Sequence, residues 1–434
     1  MQTRRELLRA AALTAAGLGT AGVLTGSARD ARVTVGGTAI SGVPRAPADG
    51  TARSEAVRAV QSFGADLYRE LAQQPGNLAC SPYSVAVALA MVRNGARGAT
   101  ATELDHVLHA PAPDRLNSGL NALELHLATR SGRRSQEGAA PADVVLDTAS
   151  SLWGQRSERW QPAFLDALAR FYGAGMHTVD YERDTEGARR AINGWTGERT
   201  HGRIPELVPA GMIDALTRLV LVNAVYLKAP WLVPFGRQAT APAPFTRTDG
   251  SRVSVPMMSA SGTASGYASG PGWQAVRLPY LGEQLAMTLV VPDAGRLAQL
   301  ERDVSGPAVR ALLGDLPATQ VDLRLPRWTF RTHVELSDLL SALGMPTAFT
   351  DRADFTGMTV QDALSISAVL HEVFVAVDED GTEAAAATAA IMELSAGRMP
   401  GVTLTVDRPF LFLIHDIETG IPLFLGRVVA PTAG

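Results

Sequence analysis

Cysteine is nearly missing from this chain of 434 residues: Cys80 stands alone. One thiol cannot close an intramolecular disulfide or supply the paired thiolates of a cysteine metal site. Cys80 lies in the apolar stretch 77–81 rather than in an electropositive setting, so it is expected as a small buried hydrophobe, not a reactive nucleophile. Lysine is equally scarce, with Lys228 the sole one among 39 basic residues. Net charge is only −4, and no basic cluster suggests a nucleic-acid partner or a polyanion cofactor.

Catalytic signatures are missing too. With one lysine, preceded three places earlier by Val225, there is no Ser-x-x-Lys and no phosphate-binding Gly-x-x-x-x-Gly-Lys. No Gly-x-Ser-x-Gly occurs. His371-Glu372 is followed by Val373, Phe374 and Val375, which rules out His-Glu-x-x-His. The chain is therefore expected not to be an enzyme and to need no cofactor or metal. A secreted hydrolase with a triad drawn from distant residues is the alternative that motif searching leaves open.

The N-terminus is informative. Arg4-Arg5 with Leu7-Leu8, an uncharged Ala/Leu/Gly run, and the small residues Ser27 and Ala28 form the pattern of a removable export signal over 1–28. The paired arginines point to the twin-arginine route and so to a secreted protein. The run is too short and too weakly apolar for a lasting membrane anchor. The Arg, Ala and Gly bias resembles that of GC-rich bacteria.

Residues 29–54, rich in Gly, Ala, Thr and Pro, read as a disordered linker, and 55–434 as one continuous domain. Its hydrophobic share, 46%, suits a sizeable core. Apolar spacing predicts helices over 56–71, 82–94, 100–108 and 116–128, with Ser81-Pro82 a good helix start. Strand-like runs follow at 218–227, 284–291, 321–325, 373–377, 402–406 and 410–414. Segments 130–143 and 259–272 read as loops. Helices first and large sheets later argue for an α+β fold.

The C-terminal hundred residues carry the decisive pattern. Glu379-Asp380-Gly381-Thr382-Glu383 followed by Ala384-Ala385-Ala386-Ala387-Thr388 resembles the hinge of inhibitory serpins. Asp407-Arg408-Pro409-Phe410 and Gly426-Arg427-Val428 resemble the C-terminal strands of that family. Ser81-Pro82-Tyr83-Ser84, Asn94-Gly95-Ala96-Arg97-Gly98, Thr200-His201-Gly202-Arg203-Ile204, Leu221-Val222-Asn223-Ala224 and Asp354-Phe355-Thr356-Gly357-Met358 extend the likeness, in order, from about residue 55 to the end. The resemblance implies helices packed around three β-sheets and an exposed reactive-centre loop over about 379–401. Taken alone, 383–392 would score as a helix, because alanine is the best helix former. The strands bracketing it favour a long functional loop.

Such a loop must be able to enter a sheet as a strand, and the residues permit it. Side chains alternate between the two faces. Thr382, Ala384, Ala386, Thr388, Ala390 and Met392 form one uncharged face. Glu383, Ala385, Ala387, Ala389, Ile391 and Glu393 form the other, which is expected to face solvent. No proline interrupts the ladder. A slip of one residue would bury both glutamates, so the phase favours an inhibitor over a non-inhibitory relative that acts as a binding module.

The resemblance then implies the rest. A serine protease takes the loop as substrate, forms an acyl-enzyme, and is trapped as a covalent 1:1 complex when the cleaved loop inserts. The inhibitor is expected as a monomer. Ser81, Ser84, Asn223 and His371 match the polar cluster beneath the parting strands. Trp231, Arg327 and Glu379 match the region where the sheet opens, with an Arg327–Glu379 ion pair expected. Family spacing puts the scissile bond between Ser395 and Ala396, with Leu394 and Arg398 as alternative anchors. Serine at 395 suits enzymes with small or shallow primary pockets, elastase- or subtilisin-like, whereas Leu394 would favour chymotrypsin- or subtilisin-like targets and Arg398 trypsin-like ones.

Overall fold

The computed structural model describes residues 37–136, 139–361, 363–383 and 401–431. Helices α1 (Gly50–Leu71), α2 (Pro82–Arg93), α3 (Gly98–Val107), α4 (Pro113–Leu127), α5 (Pro162–Tyr172) and α6 (Thr185–Arg199) fall mainly in the first half. The short helices α7 (Leu297–Asp303), α8 (Gly306–Leu313) and α9 (Ser337–Leu343) follow. Ser81 caps α2 as its sequence suggested: the hydroxyl accepts from Ser84 N at 3.4 Å, and Pro82 occupies the first turn.

Among the described residues the strands form two hydrogen-bonded networks. The first runs β1 (Gly37–Ala39), β5 (Met176–Val179), β4 (Ala139–Gln155), β6 (Leu219–Pro230), β14 (Gly381–Thr382), β13 (Ala368–Val377) and β12 (Trp328–Glu335), with β3 (Gly132–Gln136) paired to β4. The second runs β15 (Val402–Thr405), β11 (Ala318–Pro326), β8 (Arg252–Gly270), β9 (Trp273–Pro279), β10 (Leu285–Pro292), β16 (Phe410–Asp416), β17 (Pro422–Val428) and β2 (Leu78–Cys80), with β7 (Ala241–Thr246) on β8. The long strand β8 joins two of the three sheets implied by the resemblance. Its earlier part pairs with β7 and β11, and its last residues pair with β9. The α+β architecture stands.

The two faces of the first sheet serve different cores. Leu219, Leu221, Leu227, Val369, Val373 and Val375 point into the main core, shared with α1, α2 and the second sheet. Val220, Val222, Ala224, Ala368 and Leu370 point the other way, under Ile192 of α6. This is the two-residue alternation of a sheet buried on both faces. Cys80 is fully buried in the main core, and burial pushes its thiol pKa up, so it is inert as expected.

Three sequence expectations need correction. Residues 37–54 of the expected linker are structured: Gly37–Ala39 adds a strand antiparallel to β5, and α1 begins at Gly50 under an Asp49 cap. Arg45 holds the segment by bonding Asn121 at 2.8 Å and pairing with Glu124 at 2.9 Å. Segment 259–272 is largely strand, because its small residues pair with β11 and β9 rather than turning. Within 130–143, strands β3 and β4 form a hairpin. For Gly37–Ala39 and for the β11 side of segment 259–272 the partner lies elsewhere in the chain, and local composition carries no trace of it.

Candidate functional site

Strands β6 and β13 are parallel neighbours, directly paired from Val220↔Ala368 to Val225↔Val373. Past that point they part, and the two residues of β14 lie between them, antiparallel to both. Thr382 faces Ala229 and Val377, and Gly381 faces Pro230. The parted strands make a slot whose mouth is already filled by the first residues of the expected hinge.

Each residue at this mouth has a physical reason to be there. The Asp378 carboxylate accepts from the N–H groups of Asp380 (2.9 Å) and Gly381 (3.2 Å), which turns the chain back after β13. Gly381 has φ +156°, and a Cβ there would stand 2.2 Å from Ala229 O, so only glycine fits between the strands. Thr382 is 3% exposed and shares a 2.6 Å hydrogen bond with Tyr280 OH. Tyr280 stacks on Trp231 at 4.6 Å, and Trp231 Nε1 donates to Asp378 O at 3.0 Å.

The acidic residues before the turn are paired rather than left in the core. Arg327, as the resemblance implied, donates to Glu379, and Thr240 donates to the same carboxylate oxygen. Burial alone would raise the Glu379 pKa, but the Arg327 and Thr240 bonds outweigh it and the net shift is downward. Asp380 is bonded by Arg237. Asp378, flanked by Asp380 and Glu379, is shifted upward, chiefly by burial.

Beyond Thr382 the chain turns out of the sheet. Glu383 has φ +51°, a left-handed conformation unusual for a residue with a side chain. Its N–H still donates to Ala376 O at 2.9 Å. Thr382 toward the core and Glu383 on the opposite side match the expected phase, with one difference: Glu383 does not stand free in solvent. Its side chain is 8% exposed and bonded to Arg203.

Deeper in the sheet, Ser81, Ser84, Asn223 and His371 come together, all fully buried. The register of β6 with β13 sets Asn223 directly beside His371. Ser81 N donates to His371 Nε2 at 3.0 Å, so the ring carries its proton on Nδ1, which faces Asn223 Oδ1. Ser84 Oγ donates to Ser81 O at 3.3 Å. Burial drives the His371 pKa down to about 3 and keeps the ring neutral.

Comparison with known proteins decides the family. The model of the family described as serpin (serine protease inhibitor) matches residues 58–431. The chain belongs to the serpin family. An uncharacterized serpin-like protein of Thermococcus kodakarensis is 37% identical over 87% of this chain and 86% of its own length. The leukocyte elastase inhibitor of Homo sapiens is 35% identical, covering 85% of this chain and 97% of its own length. The crystal structure of tengpin, a thermophilic serpin in its native state, superposes with a TM-score of 0.78 at 26% identity, over 89% of this chain and 96% of tengpin.

In this serpin the structure gathers Trp231, Arg327, Glu379, Gly381, Thr382 and Glu383 at the slot, and the four polar residues beneath it. Ala384 to Thr388 and the bond residues Leu394, Ser395, Ala396 and Arg398 lie outside the described residues. Sequence reasoning missed Thr240, Arg237, Tyr280 and Ser150, whose hydroxyl donates to Ser84 O at 3.1 Å, and gave Arg203 no role beyond its motif. The available signal was the requirement that each buried carboxylate and hydroxyl find a partner.

Proposed function

We propose that this serpin is a suicide-substrate inhibitor of serine proteases. The observation that carries the reading is Gly381–Thr382 seated between β6 and β13, in a slot that the following residues can extend into. The protease seryl Oγ attacks the Ser395 carbonyl. The new C–O bond forms as the C–N bond to Ala396 breaks, and the departing amine takes up the proton. The acylated arm, freed from its C-terminal anchor, continues the strand begun by Gly381–Thr382. The small residues after Thr382 enter the core face without burying a charge. The bound protease is dragged along and distorted, which stops hydrolysis of the ester in a covalent 1:1 complex.

Ser395 at the bond favours elastase- and subtilisin-like enzymes, with chymotrypsin-like enzymes suited where Leu394 is the anchor, and a relative named leukocyte elastase inhibitor supports the elastase-like choice. The Arg4-Arg5 signal pattern supports export, with the released protein acting outside the cell.

Mixing the protein with subtilisin, elastase, chymotrypsin and trypsin and running denaturing gels tests the reading. A band at the combined mass is expected with at least one of the first three, and the released C-terminal peptide should begin at Ala396. Clean loop cleavage with no covalent band for any enzyme would overturn the trapping mechanism.

A further inference from the structure

The connection between α6 and β6 contains a device spanning the slot at the point where its two walls meet. Pairing of β6 with β13 ends at Val225 and Val373, so Tyr226 and Phe374 are the first residues past the fork. Both lie on the outer face, the one covered by α6. His201 packs its ring on Tyr226 at 4.5 Å, and its Nε2 lies 2.7 Å from Asp147 Oδ2 on β4. Two residues on, the Arg203 guanidinium rests over the Phe374 ring at 5.5 Å and bonds the Glu383 carboxylate. One short segment thus grips the β6 wall with His201, and the β13 wall and the hinge with Arg203.

The register shows what this contact obstructs. Thr382 faces Ala229 and Val377 in antiparallel pairing, so continuation puts residue 385 opposite Tyr226 and Phe374. Up to that position the walls are already parted. Every later residue requires the fork to move past the His201–Arg203 segment. Glu383 must also leave its left-handed conformation for an extended one, which shifts the carboxylate that Arg203 holds.

We propose that His201 and Arg203 form a clasp across the slot, with Arg203 the positioning residue that parks the hinge at Glu383 and delays further insertion. The clasp deepens the insertion reading and rests on it. Arg331 supplies an internal control. Its guanidinium also lies over Phe374, at 5.4 Å, and pairs with Glu372 at 3.6 Å. It comes from β12, on the β13 side, and bridges nothing across the slot.

The test uses the full chain and a synthetic peptide of residues 384–393, with native mass spectrometry following formation of the 1:1 peptide adduct. Arg203→Ala is expected to speed annealing about three- to tenfold, the scale of one exposed ion pair plus one cation–π contact. His201→Ala should speed it by a smaller factor, Arg203→Lys should restore a near wild-type rate, and Arg331→Ala should leave the rate unchanged. A wild-type rate in Arg203→Ala, or equal acceleration in Arg331→Ala, would overturn the clasp. The annealing readout needs no protease. Faster annealing in Arg203→Ala when no enzyme is trapped by any form would support the clasp while sinking the trapping reading.

Discussion

The mouth of the slot and the polar cluster below it both fix the chain where β6 and β13 part, with opposite chemistry. The mouth uses ions: Glu379 with Arg327, Asp380 with Arg237, Glu383 with Arg203. In each pair the guanidinium reaches solvent while the carboxylate is sheltered. The cluster is neutral and sealed, built from two serines, an asparagine and a histidine kept uncharged by burial. Charge is affordable where water solvates one partner, and neutral hydrogen bonds replace it where water is excluded. In the proposed insertion a strand would enter from the charged end, whose pairs reach solvent, and meet the sealed end second.

The largest expected effect comes from placing charge on the face the mouth admits. Thr382→Arg would push a guanidinium toward Tyr280 and the main core, a site 3% exposed. Covalent complex on denaturing gels should vanish while loop cleavage continues; undiminished complex would show that this face need not be buried. Next, His371→Ala breaks two bonds in the sealed cluster and leaves a void, costing about 2–4 kcal/mol in thermal or denaturant unfolding, independent of salt.

Acid should separate the two regions. The native His371 pKa lies near 3 against an ordinary 6.5, so between those values the unfolded chain binds a proton that the native ring refuses. Stability from the cluster is present above pH 6.5 and falls as pH drops through that window. His371→Asn should flatten part of the slope; His415, which burial also drives down to about 3, and His177, lowered by burial as well, contribute to the rest. Glu379 is shifted below its usual 4.5, so the Arg327–Glu379 pair keeps its contribution above that value and loses it only as pH falls through the lowered pKa. Burial shifts Glu383 at the same mouth upward instead. Melting curves from pH 7 to 4 that stay flat would contradict the assignment for the cluster. The smallest effect is Arg327→Ala, about 1 kcal/mol and shrinking in high salt, because its side chain is 36% exposed and Thr240 still serves Glu379.

Legibility in the sequence followed the range of the interaction. The α2 start was readable because Ser81 and Pro82 act on the next turn of the same chain. The strands over 219–230 and 410–416 were readable because their apolar runs are buried on every side. The Arg327–Glu379 pair came through family likeness, since nothing local joins residues 52 positions apart. Strand β1 and the far half of β8 were missed because small residues become strand only when a partner lends them a ladder. His201 and Arg203 were noticed as a motif without a role, and their function depends on Tyr226, Phe374 and Glu383 arriving at one fork.

The sequence by itself determined the phase of the hinge, with Thr382 apolar-compatible and Glu383 charged, because alternation along a strand is a property of covalent geometry. It also determined that no intramolecular disulfide, no Ser-x-x-Lys and no Gly-x-x-x-x-Gly-Lys motif would be available. Only the tertiary structure decided how far the hinge stands inside the sheet, which arginine answers each carboxylate, and why Glu383 is sheltered rather than free. Those outcomes depend on where β6 and β13 part, and that distance is set by packing between segments more than a hundred residues apart.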